Sequence, residues 1–216
     1  NMKKHFCFAD KQDITRAGLM YIIDQFHSDV SYKYIEDKTE LILALKEYEN
    51  AIVIMDYTLF DVNDSEELLI LSQRFQHVDW LLFSEDFLAA FARGILVGCA
   101  NIGILLKESP LPEIREAINF AISGKRYVCQ RMTELLLTPE ANVEEHIKLT
   151  KTETEVLKDI AIGMTTKEIA EKRYSSFHTI NTHRKNIFRK LGVNNAHEAT
   201  KYALRAGLVD SAEYYI

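Results

Sequence analysis

Residues 165–191 read TTKEIAEKRYSSFHTINTHRKNIFRKL. The stretch divides into two helices around a tight corner. Residues 166–172 predict the first helix, with Ile169 and Ala170 on its inner side. Residues 173–177 form the corner, where Ser175 or Ser176 can cap the next helix through a side-chain oxygen. The second helix runs from His178 to Leu191. Its apolar residues Ile180, Ile187 and Leu191 recur at intervals of seven and four, which makes one buried stripe. The remaining positions carry Asn181, Thr182, His183, Arg184, Lys185, Arg189 and Lys190. Between Ser175 and Leu191 there are four Lys or Arg residues and no acid. Such a helix suits the major groove of double-stranded DNA. Its cations neutralise phosphates, and asparagine can pair bidentately with an adenine edge. A merely solvated amphipathic helix has the same pattern, so the surrounding sequence has to decide.

The whole chain has 216 residues, of which 47% are hydrophobic and 27% charged. That supports one large or two small domains with their own cores. The net charge of −6 speaks against nucleic acid only as an average. Residues 149–216 hold 11 basic and 8 acidic residues, a balance of +3, and the remainder holds 15 and 24, a balance of −9. An acidic first part joined to a basic second part fits a regulator with a DNA-binding tail. Asn1, ahead of Met2, is read as an added residue. No early apolar run is long enough for a signal peptide or a membrane span, so a cytoplasmic location is expected. Cys7, Cys99 and Cys129 are scattered and lack metal-ligand spacing, so they read as reduced core thiols.

From the start, apolar runs of strand length alternate with helix-spaced segments. The strands are 4–9, 31–35, 51–55, 80–83 and 102–106. The helices are 14–26, 39–48, 65–75, 87–97 and 112–123. Such alternation implies a five-stranded parallel sheet covered on both faces. Asp10, Asp56, Ser84 and Lys107 each stand at the carboxyl end of a strand, the edge where open parallel sheets bind ligands. Two carboxylates suit a hard cation, and a hydroxyl with an ammonium suits phosphoryl oxygens. Residues 131–147 lose the apolar pattern around Pro139 and read as a linker between domains at 1–130 and 148–216. After it, Thr150 and Glu153 form a capping box for a helix that ends before Gly163. A last helix, 196–206, starts at Asn194 or Asn195 and ends at Gly207. The tail is therefore a small all-α module of four helices.

Leu149, Thr150, Glu153, Glu155, Val156, Leu157, Gly163, Lys167, Glu168, Ile169 and Ala170, then Thr179, Ile180, His183, Asn186, Ile187, Lys190, Leu191, Gly192 and Val193, closely resemble the LuxR-type helix-turn-helix, over 149–209. The stretches ADKQDITRAGL, IVIMDYTLFD, LLFSED, CANIGILLKES and GKRYV resemble a CheY-like receiver domain of the NarL/FixJ response regulators, over 4–128. This resemblance implies a flavodoxin-like receiver followed by a DNA-binding module. It makes Asp56 the phosphoacceptor, Ser84 and Lys107 its phosphoryl partners, and Asp10 with Asp56 the holders of Mg²⁺. It also implies a sensor histidine kinase or other phosphodonor, and a homodimer on DNA with a dimer contact on the last helix. Asn181, Thr182 and Lys185 would meet base edges, with His183, Arg184, Arg189 and Lys190 nearer the phosphates.

Three positions depart from the family. Lys11 stands in place of the second pocket acid, Ile104 in place of the switch aromatic, and Phe60 where the family usually has proline. Lys11 would weaken Mg²⁺ binding by changing the charge count of the pocket. Its ammonium could pair with Asp56 or point into solvent. The expected function is a DNA-binding transcriptional response regulator with weak phosphorylation at Asp56. The alternative is a phosphorylation-independent regulator whose pseudo-receiver binds a protein or small ligand. An enzyme on the same fold finds no support: there is no glycine-rich phosphate loop and no nucleophile–base arrangement.

Overall fold

The computed structural model describes residues 3–58, 60, 62, 65–87, 89–137 and 149–209. The elements up to Leu137, residues 65–67 excepted, belong to one compact unit and those from Lys151 to a second.

In the first unit, strands and helices alternate. They are β1 (Lys4–Ala9), α1 (Asp13–Asp24), β2 (Val30–Tyr34), α2 (Lys38–Glu47), β3 (Ala51–Met55), α3 (Ser65–Arg74), β4 (Asp79–Ser84), α4 (Ala89–Gly98), β5 (Ile102–Leu106), α5 (Leu111–Ile122) and α6 (Gln130–Leu137). All strand pairs are parallel, in the order β2-β1-β3-β4-β5. β3 (AIVIM) and β5 (IGILL) are buried at every residue, as strands covered on both faces must be. The edge strand β2 (VSYKY) is only half-buried. Because β1 pairs with β2 on one side and β3 on the other, the order reverses there. The carboxyl ends of β1 and β3 therefore flank a crevice.

The segment after α5 returns to the sheet. The Ile104 amide donates to the Tyr127 carbonyl at 2.8 Å, and the Cys129 amide donates to the Ile104 carbonyl at 3.0 Å. This return lies so close to β5 that a Cβ on Gly103 would stand 2.8 Å from the Tyr127 carbonyl oxygen. Glycine at 103 is thus required for close approach. Within the stretch read as a linker, residues up to Leu137 continue α6, whose Met132 is buried in the sheet's core cluster. Residues 138–147 of that stretch lie outside the described residues. Cys7, Cys99 and Cys129 are free and buried. Among the described residues, no helix is long and apolar enough to cross a membrane.

The second unit consists of α7 (Lys151–Ala161), α8 (Thr166–Lys172), α9 (Phe177–Leu191) and α10 (Ala196–Arg205). Its core joins Val156, Leu157 and Ile160 of α7, Ile169 of α8, Ile180, Ile187 and Phe188 of α9, and Ala199 and Ala203 of α10. Thr150 with Glu153 and Thr165 with Glu168 both form reciprocal capping boxes. Of the alternative caps in the sequence, Ser176 starts α9 and Asn195 starts α10.

Glu153 has a second partner. Its carboxylate, 4% exposed, lies 2.7 Å from the Lys190 ammonium near the end of α9. Burial alone would raise the Glu153 pKa. The Lys190 bond, the Thr150 bonds and the attraction of Lys190 outweigh that and hold it below the ordinary 4.5. A depressed acid adds stability that is present above its unfolded pKa and lost as pH falls through its folded one.

Two outcomes are expected. Gly103→Ala should destabilise the first unit by about 1–3 kcal/mol through overpacking. The check is urea unfolding followed by fluorescence of Trp80, the single tryptophan, buried in that unit. Glu153→Gln should cost the second unit about 1–2 kcal/mol at pH 7, through loss of the charge-assisted bond to Lys190. The gap to the parent should narrow below pH 4.5, read by hydrogen exchange of α7 and α9 amides. A constant gap would refute the role given to the Glu153 charge.

Candidate functional site

At the carboxyl edge of the sheet, Lys107 follows β5 and reaches back across β3 to β1. Its ammonium lies 2.8 Å from Asp10 Oδ2, 2.7 Å from Asp56 Oδ2 and 2.7 Å from Gln12 Oε1. Asp10 and Asp56 are 2% and 1% exposed. Burial would depress the lysine, but bonds to and attraction from both carboxylates hold its pKa above the usual value. The other oxygen of Asp10 accepts from the Gln12 amide at 2.8 Å. The other oxygen of Asp56 accepts from the Thr58 amide at 3.0 Å and the Thr58 hydroxyl at 2.5 Å. Ser84, at the end of β4, is fully buried, and its hydroxyl has no hydrogen-bond partner among the described residues.

The pocket thus brings together Asp10, Asp56 and Lys107, and adds Gln12 and Thr58, which strand-end reasoning did not find. Lys11 is exposed. The ammonium paired with Asp56 is that of Lys107, so of the two readings of Lys11 the structure follows the outward one. Ile104 is fully buried in β5. Phe60 is fully buried, and its amide donates to the Asp56 carbonyl at 3.0 Å, a bond that proline could not make. Around the pocket rim a stack of rings forms instead of a switch aromatic at 104. The Tyr57 ring lies 4.3 Å from Phe91 and 5.7 Å from Phe87, nearly parallel to both. Tyr57 follows Asp56 directly and Phe87 follows Ser84 by three, so proximity to two pocket residues was the available signal.

In the second unit, α9 carries all seven basic or amide-bearing candidates. Ile180 and Ile187 pack inward. Thr182 and Arg189 fall on the side of the helix away from that stripe, whereas Asn181 and Lys185 are buried, at 2% and 9% exposure. The Thr182 hydroxyl donates to the His178 carbonyl at 3.0 Å. Arg184 falls on the stripe's own side, with its guanidinium 5.6 Å from the centre of the Phe188 ring. His183 flanks the stripe, and Lys190 is engaged by Glu153.

The corner before α9 is held by charge. Asp159 of α7, 2% exposed, accepts from Lys172 Nζ at 2.7 Å and from Arg173 Nε at 2.5 Å. Arg173 also lies 3.8 Å from Glu155. These pairs fix the end of α8 against α7 and so set the direction in which α9 departs. Residue spacing gave no sign of them, because the partners stand 13 or more positions apart.

The family model for bacterial regulatory proteins of the LuxR family matches residues 147–203, which span α7, α8, α9 and most of α10. Oxygen regulatory protein NreC of Staphylococcus aureus is 27% identical over 219 residues, covering 94% of this chain and 97% of that protein. A structure of two RcsB dimers bound to two parallel DNAs is 25% identical, with a TM-score of 0.54, covering 97% of this chain and 100% of that one. RcsB from Salmonella enterica serovar Typhimurium, bound to a promoter in the presence of phosphomimetic BeF3−, shares the fold at 24% identity and a TM-score of 0.54. Residues 147–203 thus carry a LuxR-type regulatory module, and the parallel 2-1-3-4-5 sheet with an acidic crevice ahead of it makes the chain similar over nearly its whole length to DNA-binding response regulators.

Proposed function

We propose that this chain regulates transcription by inserting α9 into the major groove of double-stranded DNA, as a homodimer. The observation that carries this reading is the division of α9. Ile180 and Ile187 lock one side into the core, and Thr182 and Arg189 stand on the side away from it, with Asn181 and Lys185 buried beside them. Asn181, Thr182 and Lys185 read base edges, and Arg189, with His183, approaches phosphates. Lys190 and Arg184 act from within the unit, through Glu153 and Phe188. Ala199 and Ala203 of α10 pack into their own module, which leaves Tyr202, 43% exposed, as the α10 residue for a dimer contact.

The receiver pocket is partly neutralised from within, by one ammonium on two carboxylates. Lys107 sits on the facing oxygens of both carboxylates, and the third acid of the family pattern is the outward Lys11. Two carboxylates already engaged by an ammonium make a poor site for a hard divalent cation, so Mg²⁺ binds weakly and a phosphodonor such as a sensor kinase labels Asp56 slowly. The buried, unpaired Ser84 hydroxyl supports some residual capacity, since a phosphoryl oxygen there would satisfy it. The same Lys107 bridge favours a second reading, in which the receiver responds to a protein or small ligand without phosphorylation.

Acetyl phosphate with Mg²⁺ should give little phosphoryl adduct by intact mass, and Lys11→Asp should give clearly more. Rapid labelling of the parent would remove the Lys107-blocked pocket from this reading. Asn181→Ala should lose about 1–3 kcal/mol of discrimination at one base and keep its affinity for random duplex. Arg189→Ala should weaken all duplexes alike and lower the salt slope by about one. Titrations on a selected and a random duplex at two salt concentrations decide. If neither substitution matters, α9 does not enter the groove.

A further inference from the structure

All four helices of the second unit run into the same hydrogen-bonded ending. In each, a residue in the left-handed region donates its amide to the carbonyl three back, and the next residue donates to the carbonyl five back. After α7, α9 and α10 the left-handed residue is glycine: Gly163 at φ 89°, Gly192 at φ 64° and Gly207 at φ 67°. After α8 it is Tyr174, at φ 50°. The Tyr174 amide lies 3.3 Å from the Glu171 carbonyl and the Ser175 amide 2.9 Å from the Ala170 carbonyl. Tyr174 is the only non-glycine residue with positive φ among the described residues.

Neither backbone nor packing accounts for a tyrosine there. The left-handed region is costly for a residue with a Cβ, and glycine or asparagine occupies it more easily. The side chain returns nothing, because Tyr174 is 99% exposed, the most exposed of the large hydrophobic residues. An observed outlier that the fold does not reward points to a contact outside the fold. Its place says which one. Tyr174 stands in the corner between α8 and α9, two residues before the Ser176 cap, beside the end of α9 whose free amides and dipole favour phosphate. A phenol is a neutral hydrogen-bond donor suited to a phosphate oxygen.

We propose that the Tyr174 hydroxyl donates to a DNA phosphate beside the groove that α9 enters, and so adds affinity that is independent of sequence. This rests on the placement of α9 proposed above.

The test uses full-length Tyr174→Gly, Tyr174→Asn and Tyr174→Phe, titrated beside Arg189→Ala on a selected and a random duplex at two salt concentrations. The glycine and asparagine variants keep the turn and should melt no lower than the parent. All three variants should bind both duplexes about fivefold more weakly, the worth of one neutral hydrogen bond. Their salt slope should stay unchanged, because a neutral group releases no counterion. Parent-like affinity in any of the three overturns the assignment, and so does a loss confined to the selected duplex. If the Tyr174 variants bind normally while Arg189→Ala is weakened, only this inference fails. If the parent binds no duplex at all, the placement of α9 fails with it.

Discussion

One ammonium between two buried carboxylates sets what the first unit can do. Lys107 reaches Asp10, Asp56 and Gln12 from the end of β5, so it ties β5 to β1 and β3, with which β5 shares no ladder. Removing Lys107 would leave two buried carboxylates uncompensated, which is far more costly than the pairs are stabilising. The pocket therefore holds its own counter-ion and keeps a formal charge of −1. An incoming anion has to compete with Asp56 for Lys107, and an incoming cation has to displace Lys107 from both acids.

Asp56 has its second oxygen satisfied by Thr58 and its carbonyl by the Phe60 amide, so the loop after β3 folds back on the acid. The residue between, Tyr57, stacks on Phe87 and Phe91 and carries the loop's position to the start of α4. Ile104, packed inside β5, has no such freedom.

Much of this was legible in the sequence. Polar residues ending apolar runs marked the crevice, because a parallel sheet sends all strand ends to one edge. Thr-x-x-Glu and a glycine five to ten residues later marked α7, because capping is local chemistry. The departures at Lys11, Ile104 and Phe60 were also visible. What stayed hidden were pairs between distant residues. Gln12 enters the pocket in place of Lys11 because successive side chains beyond a strand end diverge, and sequence does not say which turns inward. Lys190 reads as one more cation of a basic helix until the fold sets it beside Glu153, 37 positions away. Arg173 and Lys172 read as surface charge until Asp159 gathers them. Tyr174 carries no pattern at all, since only its φ and its exposure distinguish it.

These pairs change how the charge of the second unit should be weighed. Its +3 balance and 11 basic residues suggest a strong electrostatic footprint on DNA. Yet Lys158, Lys172, Arg173 and Lys190 each pair with a carboxylate of the same unit. A cation already neutralised at short range displaces fewer counterions from DNA than its formal charge implies. The basic residues thus divide by task. Some build the scaffold that aims α9, through Asp159 at the corner and Glu153 at the far end. Of the remaining cations of α9, Arg189 is exposed and Lys185 is buried. Orientation then depends on buried ion pairs inside the module, and recognition on the short list of polar side chains that those pairs hold in place.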